Sequence, residues 1–290
     1  MNVSDSESHN KAAEGRFILV CTALLWGLAG LCVKSITWSV LSIIAVRSII
    51  SLIMLLCIKR SFKLKFSKTN ILGAIMMSAT GILYVAAIKL TTAGTAIVLQ
   101  YTAPILVFLF AVIFRGRKAR ATEVILTLAV FAGCVLSFAD SLDFTRILGN
   151  LLAIASGITY AGQIIIMNED GCDTQDCTII SNGISFIVCL PFLFIEQPVF
   201  DLHNIIWILV LAIFQYGLAN ILFARGIQMV DSVEASLLLS IEPVFNPIPV
   251  AIFCGEHMGP LALIGSAIVI VSIALYSLLP KLQRRKVHND

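Results

Sequence analysis

Glu242 is an acid set in the apolar stretch Leu237-Leu-Leu-Ser-Ile-Glu-Pro-Val-Phe-Asn-Pro-Ile-Pro-Val-Ala-Ile252. With its flanks that run is long enough to cross a bilayer. A carboxyl at such depth is costly and marks a functional site by default. Asn246 follows four residues later, on the same helix face, and adds an amide. Pro243, Pro247 and Pro249 remove backbone donors and turn their preceding residues away from helical geometry. Irregular backbone at membrane depth persists only where it is buried in protein or lines a cavity. The matching cation is Arg47, about seven residues into another apolar run, or roughly 10 Å deep at about 1.5 Å per residue. This constellation offers three kinds of chemistry: proton uptake and release at Glu242, capture of a polar solute, and an Arg47–Glu242 ion pair. The ion pair is the favoured reading of Arg47. For Glu242 a coupling role is favoured over specific recognition.

Further polar or amphipathic groups interrupt the apolar runs: Trp26, Tyr84, Gln100, Tyr160, Gln163, Gln215, Tyr216 and Asn220. Apolar walls with a few converging polar groups suit an amphipathic metabolite. The plainer reading is a set of interhelical hydrogen bonds, each worth about 0.6 kcal/mol. Gly27, Gly30, Gly157, Gly162 and Gly217 read as close-packing positions.

Fully 59% of the 290 residues are hydrophobic and 13% charged. A soluble domain must present more polar surface than that, so the chain is read as an all-α integral membrane protein. Ten candidate spans follow: Phe17–Val33, Val40–Ile58, Ile71–Ile88, Thr95–Phe114, Glu123–Phe138, Leu148–Met167, Thr178–Phe194, Ile205–Ala224, Val233–Phe253 and Leu261–Leu279. Of the twenty Lys and Arg, sixteen fall on segments sharing the side of the N-terminus. Lys34, Lys89 and Arg146 fall opposite, and Arg47 lies within a span. The positive-inside bias places both termini in the cytoplasm. One inside loop dissents, Asn168–Cys177, with four acids and no cation. Met1–Gly15 is polar and lacks the apolar core of a signal peptide. The eight cysteines and four histidines show no metal-ligand spacing, and no histidine lies in a span, so neither a metal site, a cofactor nor an embedded enzyme is expected. No phosphate-cradling Gly-rich loop is present, which argues against ATP hydrolysis within the chain.

The two halves repeat. A shift of 139 positions lays Pro104 on Pro243, Ala96 on Ala235 and Gly116 on Gly255; a shift of 134 lays Trp26 on Tyr160. Each half has an odd number of spans, so the second is inverted relative to the first. The expected organisation is a tail (1–16), a first five-helix repeat (17–139), a second (148–279) and a basic tail (280–290). Inverted repeats place the substrate site near the midplane, at their interrupted helices, here those of Pro104 and Pro243. Glu256, just before Pro260, reads as a helix-terminal charge.

Leu25-Trp-Gly27, Arg47, the stretch from Ala87 through Pro104 to Gly116, Ser236-Leu-Leu-Leu-Ser-Ile-Glu-Pro243 and the Gly255-Glu256 pair carry a resemblance. In these the chain resembles the EamA-type families of the drug/metabolite transporter superfamily, over nearly its whole length. One departure is Arg117, where the family usually shows Glu after the first-half glycine. The resemblance implies a secondary transporter, often an exporter, moving small organic metabolites such as amino acids by alternating access with proton coupling or exchange. A passive facilitator is the alternative. Implied partners are the metabolite, protons and lipid, with no nucleic acid, in a monomer or homodimer of the plasma membrane, bacterial by expectation.

Overall fold

Apolar runs of about twenty residues that must satisfy every backbone group internally have one solution in lipid, the helix. A computed structural model describes residues 3–60, 63–116, 118, 120–139, 142, 144–246, 248–249, 252 and 259–287, and among them there is no strand. The elements are α1 (Val3–Trp26), α2 (Ala29–Ser35), α3 (Val40–Lys59), α4 (Lys68–Leu90), α5 (Ala93–Gln100), α6 (Ala103–Ile113) and α7 (Ala121–Ser137). The second half has α8 (Ile147–Met167), α9 (Thr174–Glu196), α10 (Leu202–Val210), a π-helical segment (Leu211–Leu218), α11 (Ala219–Gly226), α12 (Ser232–Leu239), α13 (Ile241–Phe245) and α14 (Pro260–Val287). Seven stretches are long and apolar enough to cross a membrane, and two shorter apolar helices, Ala121–Ser137 and Pro260–Tyr276, accompany them. With α12 and α13 as the ninth, they supply the ten spans of the fold.

Side-chain caps start the spans where the polar loops end. Ser39, Ser67, Thr92 and Asp201 each accept the N–H three residues on, satisfying a donor that the first helical turn leaves free. The packing then follows the repeat. Helix α3 lies on α9 and α7 on α14, while α4 against α8 is mirrored by α1 against α11. Each half thus clasps the other through equivalent partners. The lipid-facing outside is apolar: Ile113, Phe114, Ile187 and Phe194 are exposed there.

Two spans break at matched positions. The fourth separates into α5 and α6 at Tyr101–Thr102, with Pro104 at the start of α6. The ninth separates into α12 and α13 at Ser240, with Pro243 in α13. Neither proline has an N–H for the carbonyl four residues back, which frees those of Gln100 and Leu239. The eighth span departs from expectation. It reads as a plain helix, but Leu211–Leu218 winds with π-helical turns. There the Ser51 hydroxyl donates to the Ala212 carbonyl at 2.8 Å.

The acidic loop finds its cations across the fold. Lys59 pairs with the fully buried Asp176, whose second oxygen accepts the Lys65 N–H at 2.9 Å. Lys65 meets Asp173 at 3.2 Å, and Arg115 pairs with Glu169. On the same face Arg16 reaches Glu234 at 2.6 Å and Arg225 pairs with Glu14. This face, which holds the described start of α1, is the terminal face. Desolvation pushes the Asp173 carboxyl up, but the Asp176 N–H together with Lys65 and Lys59 outweighs it and holds the group below its ordinary value. Its contribution to stability is therefore present above the ordinary carboxylate range and lost as pH falls below it. Asp176→Ala leaves the largely buried Lys59 without its carboxylate, with, among the described residues, only the Lys63 carbonyl at 3.0 Å to receive its ammonium. It is expected to lower stability by about 3 kcal/mol, read as a fall in the unfolding midpoint in detergent.

Candidate functional site

Both halves meet around a cavity of about 120 Å³. Trp26 reaches it from the end of α1, Arg47 from α3, Tyr84 from α4 and Gln100 from α5. Tyr160 and Gln163 come from α8, Gln215 from the π segment, Asn220 from α11 and Glu242 from α13. Of the ten side chains expected at a site, these nine share the wall. Asn246 does not line it. Its N–H still bonds the Glu242 carbonyl at 2.8 Å, so the helical turn is intact. One turn nevertheless carries it about 6 Å further along the axis, beyond the cavity. Pro249 is buried but lines no part of the cavity. Pro247, Arg117, Gly255 and Glu256 lie outside the described residues.

The helix breaks aim the acid. Tyr101, at the α5–α6 break, holds its hydroxyl 2.8 Å from Glu242 Oε2 and 3.2 Å from the Leu239 carbonyl oxygen. The break in each half therefore contacts the break in the other. Tyr101 is the site residue that sequence reasoning missed. Its one available signal was position, since a shift of 139 lays it on Ser240, where the other span breaks.

Arg47 and Glu242 do not pair. The Arg47 guanidinium lies over the Tyr216 ring, 4.1 Å from its centroid. Its Nη2 lies beside Gly81, 3.6 Å from where a Cβ would stand. A cation on an aromatic face retains attraction without a carboxylate partner, and the wide π turns present Tyr216 to it. Arg47→Glu with Glu242→Arg is accordingly expected to recover neither stability nor activity lost in the single variants, as measured by unfolding and uptake.

The remaining wall groups divide into tied and free. Gln100 Nε2 donates to Ser156 Oγ at 2.8 Å, and Ser156 donates to the Thr80 carbonyl at 3.1 Å, stitching α5, α8 and α4 together. Trp26 packs edge-on to Tyr160 and tilted on Phe223, with centroids 6.5 and 5.2 Å away. Its carbonyl accepts Gln215 Nε2 at 3.2 Å. Against these, Arg47 Nε, Gln215 Oε1 and both amide atoms of Asn220 are buried with no partner among the described residues. Buried polar groups are nearly always satisfied. Their convergence on one cavity leaves it ready for a polar solute.

A ten-span bundle in two inverted halves, with a largely apolar cavity bearing a few polar groups between them, is the architecture of a membrane transporter. The EamA-like transporter family profile matches the chain twice, over residues 14–139 and 147–278, and the chain belongs to that family. A Bacillus subtilis (strain 168) protein described as an uncharacterized transporter, YwfM, is 26% identical over 225 residues, spanning 73% of this chain and 74% of its own. A solved crystal structure superposes with a TM-score of 0.81 at 18% identity, over 92% of this chain and 98% of that one, and shows the same fold.

Proposed function

We propose that the protein is a secondary active exporter of small amphipathic metabolites, amino acids above all, and a carrier with no catalytic step. The observation that carries this reading is the set of buried polar atoms on Arg47, Gln215 and Asn220 that have no partner among the described residues, in one cavity with Glu242. Arg47 complements a carboxylate and Glu242 an ammonium, while Trp26, Tyr84 and Tyr160 supply apolar contact for a side chain. The breaks at Tyr101–Thr102 and Ser240 give the halves hinges to rock about, opening the cavity to one side at a time. The positive-inside bias orients the terminal face to the cytoplasm in a plasma membrane. Glu242 exchanges the coupling proton.

Purified protein screened by ligand-induced thermal shift against amino acids, nucleobases, amines and sugars tests the cargo. Amino acids are expected to raise the midpoint. Counterflow in proteoliposomes tests the mode, because only a carrier accelerates labelled uptake when loaded on the far side. Flux indifferent to loading would make it a passive facilitator.

A further inference from the structure

A second and larger cavity, about 560 Å³, lies under the terminal face. Lys11, Glu169 and Arg225 line it together with the apolar Ile221 and the fully buried Thr178 and Asn220. Asn220 also lines the central cavity, and among the described residues no other side chain lines both. It is fully buried, and neither its Oδ1 nor its Nδ2 has a partner among the described residues. An amide inside a span ordinarily bonds a neighbouring helix. This one stands unsatisfied where two cavities share a wall. The repeat sharpens the point. A shift of 139 lays Asn220 on Gly81, which bears no side chain and lies beside the Arg47 guanidinium. The two halves thus guard the cavity with different groups.

We propose that this vestibule is the inner half of the solute path, and that Asn220 passes cargo between it and the central cavity. The cargo class is a small solute with both donor and acceptor at one end, as in the ammonium and carboxylate of an amino acid. The amide offers one N–H donor set and one carbonyl acceptor, and so serves both groups in turn. The proposal rests on the transporter reading above, but its first test does not.

That test is thiol labelling. Ile221→Cys and Gln228→Cys, at two lining positions that keep accessible surface, reconstituted in vesicles of either orientation, are treated with a membrane-impermeant cationic methanethiosulfonate, and peptide mass spectrometry reads modification at each position. Labelling at least about tenfold faster from the terminal face is expected, a difference equivalent to about 1.4 kcal/mol. Equal rates from both faces, or no modification, overturn the vestibule. The second arm is Asn220→Leu, probed with labelled L-leucine and L-phenylalanine in counterflow. Removing an unsatisfied amide is expected to hold or raise the unfolding midpoint while flux falls about tenfold or more. A lower midpoint, or unchanged flux, overturns the role of Asn220. If the parent protein carries neither amino acid, the cargo reading fails on its own and the labelling result still decides the vestibule.

Discussion

Glu242→Gln is expected to fold, to exchange solute across the membrane, and to lose all stimulation by a pH gradient. The reason is one hydroxyl shared between two acceptors. Tyr101 lies within hydrogen-bonding distance of both Glu242 Oε2 and the Leu239 carbonyl, yet it has a single proton to give. With Glu242 ionised, the charge-assisted bond wins and Tyr101 donates to it. With Glu242 protonated, its own O–H donates to the Tyr101 oxygen, and the tyrosine proton turns to Leu239. That carbonyl is one freed by Pro243, at the α12–α13 break. Protonation and the state of the break are thereby joined through Tyr101. Glutamine is held in the neutral arrangement, so gradient-driven accumulation should fall by at least about tenfold, roughly 1.4 kcal/mol of lost coupling. Counterflow should survive. Tyr101→Phe should flatten the pH dependence in the same direction while keeping the acid. Normal gradient-driven transport by the glutamine variant would remove Glu242 from the coupling step.

How much of this was legible beforehand depends on what each residue had to contend with. Glu242 and Arg47 stood out because charge at membrane depth is rare and costly. The cavity-lining Gln, Asn and Tyr residues stood out against apolar neighbours for the same reason. The breaks were visible as Pro104 and Pro243, since a missing N–H is written in the residue type. The π turns of Leu211–Leu218 were not, because they follow from Ser51 reaching the Ala212 carbonyl from another helix. The pairing of Arg47 with Glu242 was a Coulombic expectation between two charges in a low-dielectric span. It failed because Tyr216, four residues before Asn220, offers the guanidinium an aromatic face at 4.1 Å. Asn246 was placed by helix face alone, a criterion that carries no depth. The acidic loop looked anomalous only while its partners were unseen; Asp176 meets Lys59 across 117 positions of chain.

Gly157 is expected to be among the positions least tolerant of added bulk. A Cβ there would sit 2.9 Å from the Gln100 carbonyl oxygen, 2.9 Å from Thr102 Oγ1 and 3.0 Å from the Leu99 carbonyl oxygen. Two of these are backbone atoms at the α5–α6 break, where no flexible side chain can swing aside. Pro104 has already deprived the Gln100 carbonyl of its helical donor, and Gly157 is what lets α8 approach this exposed backbone. Gly157→Ala should cost about 1–3 kcal/mol, as overpacking does, and Gly157→Leu more. Because the displaced break also holds Tyr101 against Glu242, the alanine variant should lose transport beyond its loss of folded protein. Gly183 is the control. It lies within α9 with no atom within 4 Å of a built Cβ, so Gly183→Ala should leave stability unchanged or raise it by up to about 1 kcal/mol. Equal effects at the two glycines, measured by unfolding in detergent, would show that the α5–α8 crossing yields to a methyl group, and Gly157 would then be a matter of helix propensity alone.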